Sequence, residues 1–165
     1  MNFAFISLGC SKNLVDSENL TGILVNRKGF QLTNDIEEAD MVLINTCGFI
    51  GDAKKESIET ILEVAEYKQQ NLKKIVVCGC LAQRYAEELL QEIPEIDAVI
   101  GTGEIDKIER VVDEILQDKK VVETKSFDFL PNADTDRLLT TPPHTAYLKI
   151  SDGCNRRCTY CIIPQ

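Results

Sequence analysis

"ADMVLINTCGFIGDAKKESIETILEVAEYK" runs from Ala39 to Lys68 and decides how the chain folds. Residues 39–47 are an apolar run of strand length, which predicts a strand buried on both faces. Residues 52–68 then place Ile58, Ile61, Leu62 and Ala65 at spacings of three, four and seven, the apolar stripe of a helix. A buried strand followed at once by an amphipathic helix is the unit from which parallel sheets are built.

The unit repeats on either side. "NFAFISLG" (2–9) predicts a strand, and "NLVDSENLTGILVNRKG" (13–29) a helix stopped by Gly29. "KKIVVCGC" (73–80) predicts a strand and "AQRYAEELLQEI" (82–93) a shorter helix ended by Pro94. "IDAVIGTG" (96–103) predicts a strand and turn. "EIDKIERVVDEILQ" (104–117) predicts a helix with Ile105, Ile108, Val112, Ile115 and Leu116 facing inward. The pattern implies an α/β domain over residues 1–118, a doubly wound parallel sheet with helices on both faces. "GTG" at 101–103 reads as a plain turn rather than a phosphate loop.

From Lys119 to His144 the period lapses, and "SFDFLPNADTDRLLTTPPH" reads as a linker. "TAYLKISDG" (145–153) then predicts a new strand leading into "CNRRCTYC", so residues 145–165 open a second domain.

The 165 residues are 44% apolar, enough for a buried core. No apolar run has the length to cross a bilayer. "MNFAFISLG" lacks the basic region and cleavage site of a secretory signal, which predicts a cytoplasmic protein without a membrane partner. The net charge is −9. It lies wholly in residues 1–120, which hold 22 acidic and 13 basic side chains, while residues 121–165 hold five of each. An acidic first domain is a poor match for nucleic acid, so no direct binding to it is predicted. It suits a basic protein partner, or serves only as a solvated surface.

Seven cysteines in a cytosolic chain point to metal or redox chemistry. Ligands of doubly wound sheets bind beyond the carboxyl ends of the strands. Cys10, Cys47 and Cys80 each follow a predicted strand, so a parallel sheet would bring three distant thiols to one edge. Three thiolates suit an iron–sulfur cluster with one open iron better than a four-ligand zinc site. Three buried, unliganded cysteines are the alternative. Cys78 reads as strand core if the chain turns at Gly79.

Cys154, Cys158 and Cys161 follow one another as C-x3-C-x2-C and offer three thiolates on one loop. A cubane held by three thiolates keeps one iron free, which can chelate S-adenosylmethionine. Tyr160 is placed to pack on the adenine. Zinc would need a fourth ligand that this loop lacks.

"CNRRCTYC" resembles the signature of radical S-adenosylmethionine enzymes. "HTAYLKISDGCNRRCTYCIIP", "SLGCSKNLVDSE" (7–18), "INTCGFI" (44–50) and "GCLAQRY" (79–85) together resemble the methylthiotransferases of that class. Members that modify transfer RNA usually carry Gln-Met-Asn after the first cysteine, where this chain has Ser11, Lys12 and Asn13. It is more similar to the branch that methylthiolates the β-carbon of an aspartate in a small-subunit ribosomal protein.

The resemblance implies two [4Fe–4S] clusters and S-adenosylmethionine. Cys154, Cys158 and Cys161 would hold the cluster that generates the radical; Cys10, Cys47 and Cys80 would hold the one that carries sulfur. Asn13 and Thr46 flank these cysteines and are candidates to brace them. An electron donor and a sulfur source are further partners this chemistry requires. The resemblance also implies a truncated radical barrel, a fragment inactive by itself, and a tail after about residue 145 that is poorly anchored. Transfer-RNA adenosine methylthiolation and a non-catalytic metal or redox module are the alternatives. The second implies zinc or a Cys78–Cys80 disulfide.

Overall fold

In the computed structural model, which describes residues 1–125, 134–161 and 163, six strands form one parallel sheet. The elements run β1 (Asn2–Ser7), α1 (Ser11–Lys28), β2 (Gln31–Thr33), β3 (Met41–Thr46), α2 (Gly51–Glu66), β4 (Lys74–Gly79), α3 (Cys80–Glu92), β5 (Ala98–Ile100), α4 (Ile108–Ile115) and β6 (Val121–Glu123). The strand order is β2-β1-β3-β4-β5-β6. Winding therefore reverses between β1 and β3, the switch point at which doubly wound sheets open a crevice.

Both faces of the sheet are covered, as the sequence predicts. Side chains alternate along each strand. Phe3, Met41, Leu43 and Val76 pack with Leu24 of α1 and Val112 of α4. Ala4, Val42, Ile44 and Ile75 pack on the other face with Ile61 of α2 and Leu89 of α3. Helix α1 ends where Gly29 takes a left-handed turn, φ 65°, and donates to Val25 O at 3.1 Å.

Three local differences stand out. β2 and β6 are edge strands of three residues each, too short to leave a period in the sequence. β6 lies inside the stretch read as linker and extends the sheet beyond residue 118. Ile58 and Leu62 are 40% and 49% exposed, because α2 turns Ile61 and Val64 to the sheet and leaves the others along a groove shared with Tyr85 and Leu89. Leu116 is also half exposed, just past the end of α4.

The strand expected over residues 145–153 does not form: the stretch pairs with no strand of the sheet, and all of it but Lys149 is exposed. It is tied down all the same. Lys149 Nζ stands 2.8 Å from Asp16 Oδ1, and residues 136–140 lie against α1. The tail after residue 145 is thus pinned at Lys149, while every other residue from 145 to 160 is exposed. Linker residues 126–133, and residues 162, 164 and 165 after the last cysteine, lie outside the described residues. Among the described residues no helix is long and apolar enough to cross a membrane.

The sheet's centre and its edge should differ sharply in energy. Ile75→Ala, in fully buried β4, should cost about 2–5 kcal/mol, and Val122→Ala, on the half-exposed edge, under about 1 kcal/mol. Urea unfolding of the two variants measures the contrast.

Candidate metal centre

The register fixes where β1, β3 and β4 end. Ser7 pairs with Asn45, Asn45 with Cys78, and Thr46 with Gly79. The three strands finish level, and each next loop carries a cysteine. Cys10 is the N-cap residue of α1, Cys47 follows β3, and Cys80 is the first residue of α3. The positive ends of α1 and α3 meet here, which favours negative charge.

Asn13 ties the loops together from the first turn of α1. Its Nδ2 donates to Leu8 O at 3.0 Å, to Thr46 O at 3.0 Å and to Asn45 Oδ1 at 3.3 Å. Its Oδ1 accepts from Cys10 Sγ at 3.5 Å, and Cys80 Sγ stands 3.9 Å from the same oxygen. One carboxamide thus touches two of the thiols and the backbone leading to the third. Cys47 lies close by, since a Cβ added to Gly9 would meet Cys47 Sγ at 3.3 Å.

A layer of further polar groups braces the site. Thr46 Oγ1 donates to Cys78 O at 2.6 Å and locks β3 to β4. Asn45 Nδ2 donates to Asn13 O at 2.8 Å and to Ser17 Oγ at 3.0 Å. Ser57 Oγ, fully buried on α2, accepts from Cys47 N at 3.1 Å. Sequence reasoning named Asn13 and Thr46 but passed over Asn45, Ser17 and Ser57. Buried serines in a helix look like ordinary polar positions, so only the inward stripe they interrupt could have marked them.

Gly79 decides which thiol of "CGC" reaches the site. Its φ is +94°, and a Cβ there would meet Thr46 O at 2.5 Å and strike Asn45 Oδ1. The turn sends Cys80 to the site and leaves Cys78 in the core, with Sγ 3.6 Å from Ile44 O. Burial pushes the Cys78 thiol far up. All seven cysteines are free.

Burial also pushes the Cys80 thiol up, to about 11, and the charges of Cys47, Cys10 and Asp16 add to the effect. The Cys80 thiol therefore ionises only beside a compensating cation, which a bound metal or cluster would supply. Among the described residues no group of three or more His, Cys, Asp or Glu side chains has the spacing to hold a metal ion as it stands.

The second cysteine set is open. Cys154 and Cys158 are exposed, Cys161 is half-buried, and Cys161 N donates to Cys158 O at 3.1 Å in a tight turn. Tyr160 is 89% exposed. At "GTG", Thr102 N donates to Gln83 Oε1 at 3.1 Å, so a side chain of α3 occupies the loop as the plain-turn reading requires.

Residues 2–101 match the uncharacterized protein family UPF0004. Over 166 residues the chain is 52% identical to ribosomal protein uS12 methylthiotransferase RimO of Clostridioides difficile, covering 100% of this chain and 37% of that protein. It is 53% identical to the protein of that name from Lachnoclostridium phytofermentans, covering 100% and 38%. It is 49% identical to the one from Thermoanaerobacter, covering 99% and 37%. The chain thus spans well under half the length of these relatives.

Two variants test the brace. Asn13→Ala should destabilise the domain by about 2–4 kcal/mol, because buried carbonyls lose their donor. Asn13→Asp should do no better, since it turns an acceptor toward Leu8 O and Thr46 O. Chemical denaturation of both measures this.

Asp16 supplies a pH signature. Burial pushes its carboxyl up from 3.8 to about 6 despite the pull of Lys149. The folded carboxyl binds its proton more tightly than the unfolded one, so its contribution to stability falls as pH rises from about 4 to about 6. The stability of the wild type minus that of Asp16→Asn should drop across this window by up to about 3 kcal/mol. Urea titrations at several pH values give the curve.

Proposed function

Because this chain belongs to the uncharacterized protein family UPF0004, we propose that it carries the cluster-bearing part of a methylthiotransferase acting on a small-subunit ribosomal protein. The observation that carries the reading is the convergence of Cys10, Cys47 and Cys80 on Asn13 at the sheet's switch point. The names of its relatives supply the substrate, ribosomal protein uS12. An acidic domain suits a basic ribosomal protein better than it suits transfer RNA.

Cys10, Cys47 and Cys80 would hold one [4Fe–4S] cluster, and Cys154, Cys158 and Cys161 a second that binds S-adenosylmethionine beside Tyr160. A cubane spreads its thiolates over separate irons, wider than the ligands of one zinc ion. Bound there, the clusters and S-adenosylmethionine would supply one-electron and sulfur-transfer chemistry that no side chain performs.

The chain's own residues prepare the site. Asn13 aims two thiols and fixes the loops behind them. Ser57 holds the backbone of Cys47, which is only 8% exposed, and Thr46 ties the residue before it to Cys78 O of β4. The exposed Cys10 leaves one side of the site open toward solvent, where a substrate can approach. This chain is proposed to hold cofactor without turnover, in the cytoplasm.

Iron and acid-labile sulfide per chain after anaerobic reconstitution test the reading. The first site should take about four irons that are lost in Cys10→Ala. Zinc in place of iron, or iron indifferent to Cys10, would sink it and favour a metal or redox module.

A further inference from the structure

Helix α1 is polar and buried at once. Glu18 is fully buried, and Asp16, Ser17, Asn19 and Thr21 nearly so. An acidic, amide-rich helix face does not leave water unless something covers it with matched donors. For Glu18 and Asp16, residues 136–152 supply the cover.

Their contacts fall in strict order. Asp136 accepts from Asn26 Nδ2 at 3.0 Å and pairs with Arg27. The backbone then passes Gly22 so closely that a Cβ there would lie 2.6 Å from Arg137 N. Arg137 donates twice to Glu18 Oε2, at 2.9 and 2.7 Å. Leu138 N donates to Glu18 O at 3.0 Å. Thr140 gives its N–H and hydroxyl to Glu18 Oε1 at 2.7 and 2.9 Å. Burial raises the Glu18 carboxyl, and the Thr140 amide and Arg137 outweigh it and hold it below its usual range. Lys149 reaches Asp16 at 2.8 and 3.0 Å and Asp152 at 2.7 Å. Last, Lys12 Nζ stands 3.8 Å from Asp152 Oδ1.

Helix positions fall from 27 to 12 while their partners climb from 136 to 152. The order of contacts therefore runs antiparallel to α1, with a turn between Thr140 and Lys149 in which Thr145 N donates to Pro142 O at 2.9 Å and Arg137 Nη2 to Tyr147 O at 2.7 Å. Its last contact lies two residues from Cys10 on one side and two from Cys154 on the other. We propose that α1 is a positioning track, on which Glu18, Gly22 and Asp16 hold residues 136–152 in register and so set the separation of the C-x3-C-x2-C loop from Cys10. Its bearing on catalysis rests on the reading that both cysteine sets hold clusters; the register itself does not.

The test is zero-length cross-linking of the 165-residue chain without metal. A carbodiimide activates the Asp152 carboxyl, the Lys12 amine displaces the urea, and the amide formed is quantified by peptide mass spectrometry. Gly22→Ala favours helix yet places a methyl where the segment must pass, and Glu18→Gln removes the buried charge. Both should lower the Lys12–Asp152 product at least about tenfold. The Lys28–Asp113 pair, 2.7 Å apart between α1 and α4, reports on the domain and should keep its yield. An undiminished Lys12–Asp152 product in both variants overturns the proposal. So does a fall shared by Lys28–Asp113, which would mean general loosening. A chain with the wild-type cross-link that binds no iron would instead remove the proposed function and leave the track standing.

Discussion

Three neighbouring strands that run the same way must finish at the same edge, and the whole site follows from that constraint. β1, β3 and β4 are parallel and in register, so residues far apart in sequence arrive together. An antiparallel neighbour would have carried one cysteine to the opposite end of the sheet. The reversal of winding between β1 and β3 keeps the helices from closing over the place where these loops emerge. Asn13 then converts adjacency into geometry, because a single carboxamide has both the donor and the acceptor to join backbone on one side and thiols on the other.

Much of this was legible in the sequence, for definite reasons. β1, β3 and β4 are buried on both faces and appear as unbroken apolar runs, and α2 and α4 carry helical spacing. That was enough to infer parallel strands and to place Cys10, Cys47 and Cys80 at one edge. Gly79 between Cys78 and Cys80 was enough to separate core from site. What stayed hidden was short or polar. β2 and β6 are three residues each. Ile58 and Leu62 keep helical spacing yet face a groove, because spacing shows which residues share a face and not what the face meets.

The most consequential illegible feature is the polar side of α1. "VDSEN" at 15–19 looks like a solvated surface, and by composition alone it is one. Its burial depends on partners 119–133 residues further along, such as Arg137 for Glu18 and Lys149 for Asp16. No local pattern encodes that. Gly22 held a clue, as a glycine inside a helix costs stability and usually admits something close.

The turn at Gly79 has one more consequence. It separates two neighbouring sulfurs, Cys78 sealed within the sheet and Cys80 half-buried at its edge. Oxidants reach thiols in proportion to exposure and thiolate character. Air would therefore reach the exposed Cys10, Cys154 and Cys158 first and spare Cys78, which belongs to the packing. A sample could lose those exposed thiols and still show an intact fold, so its circular dichroism or melting curve would say nothing about their state.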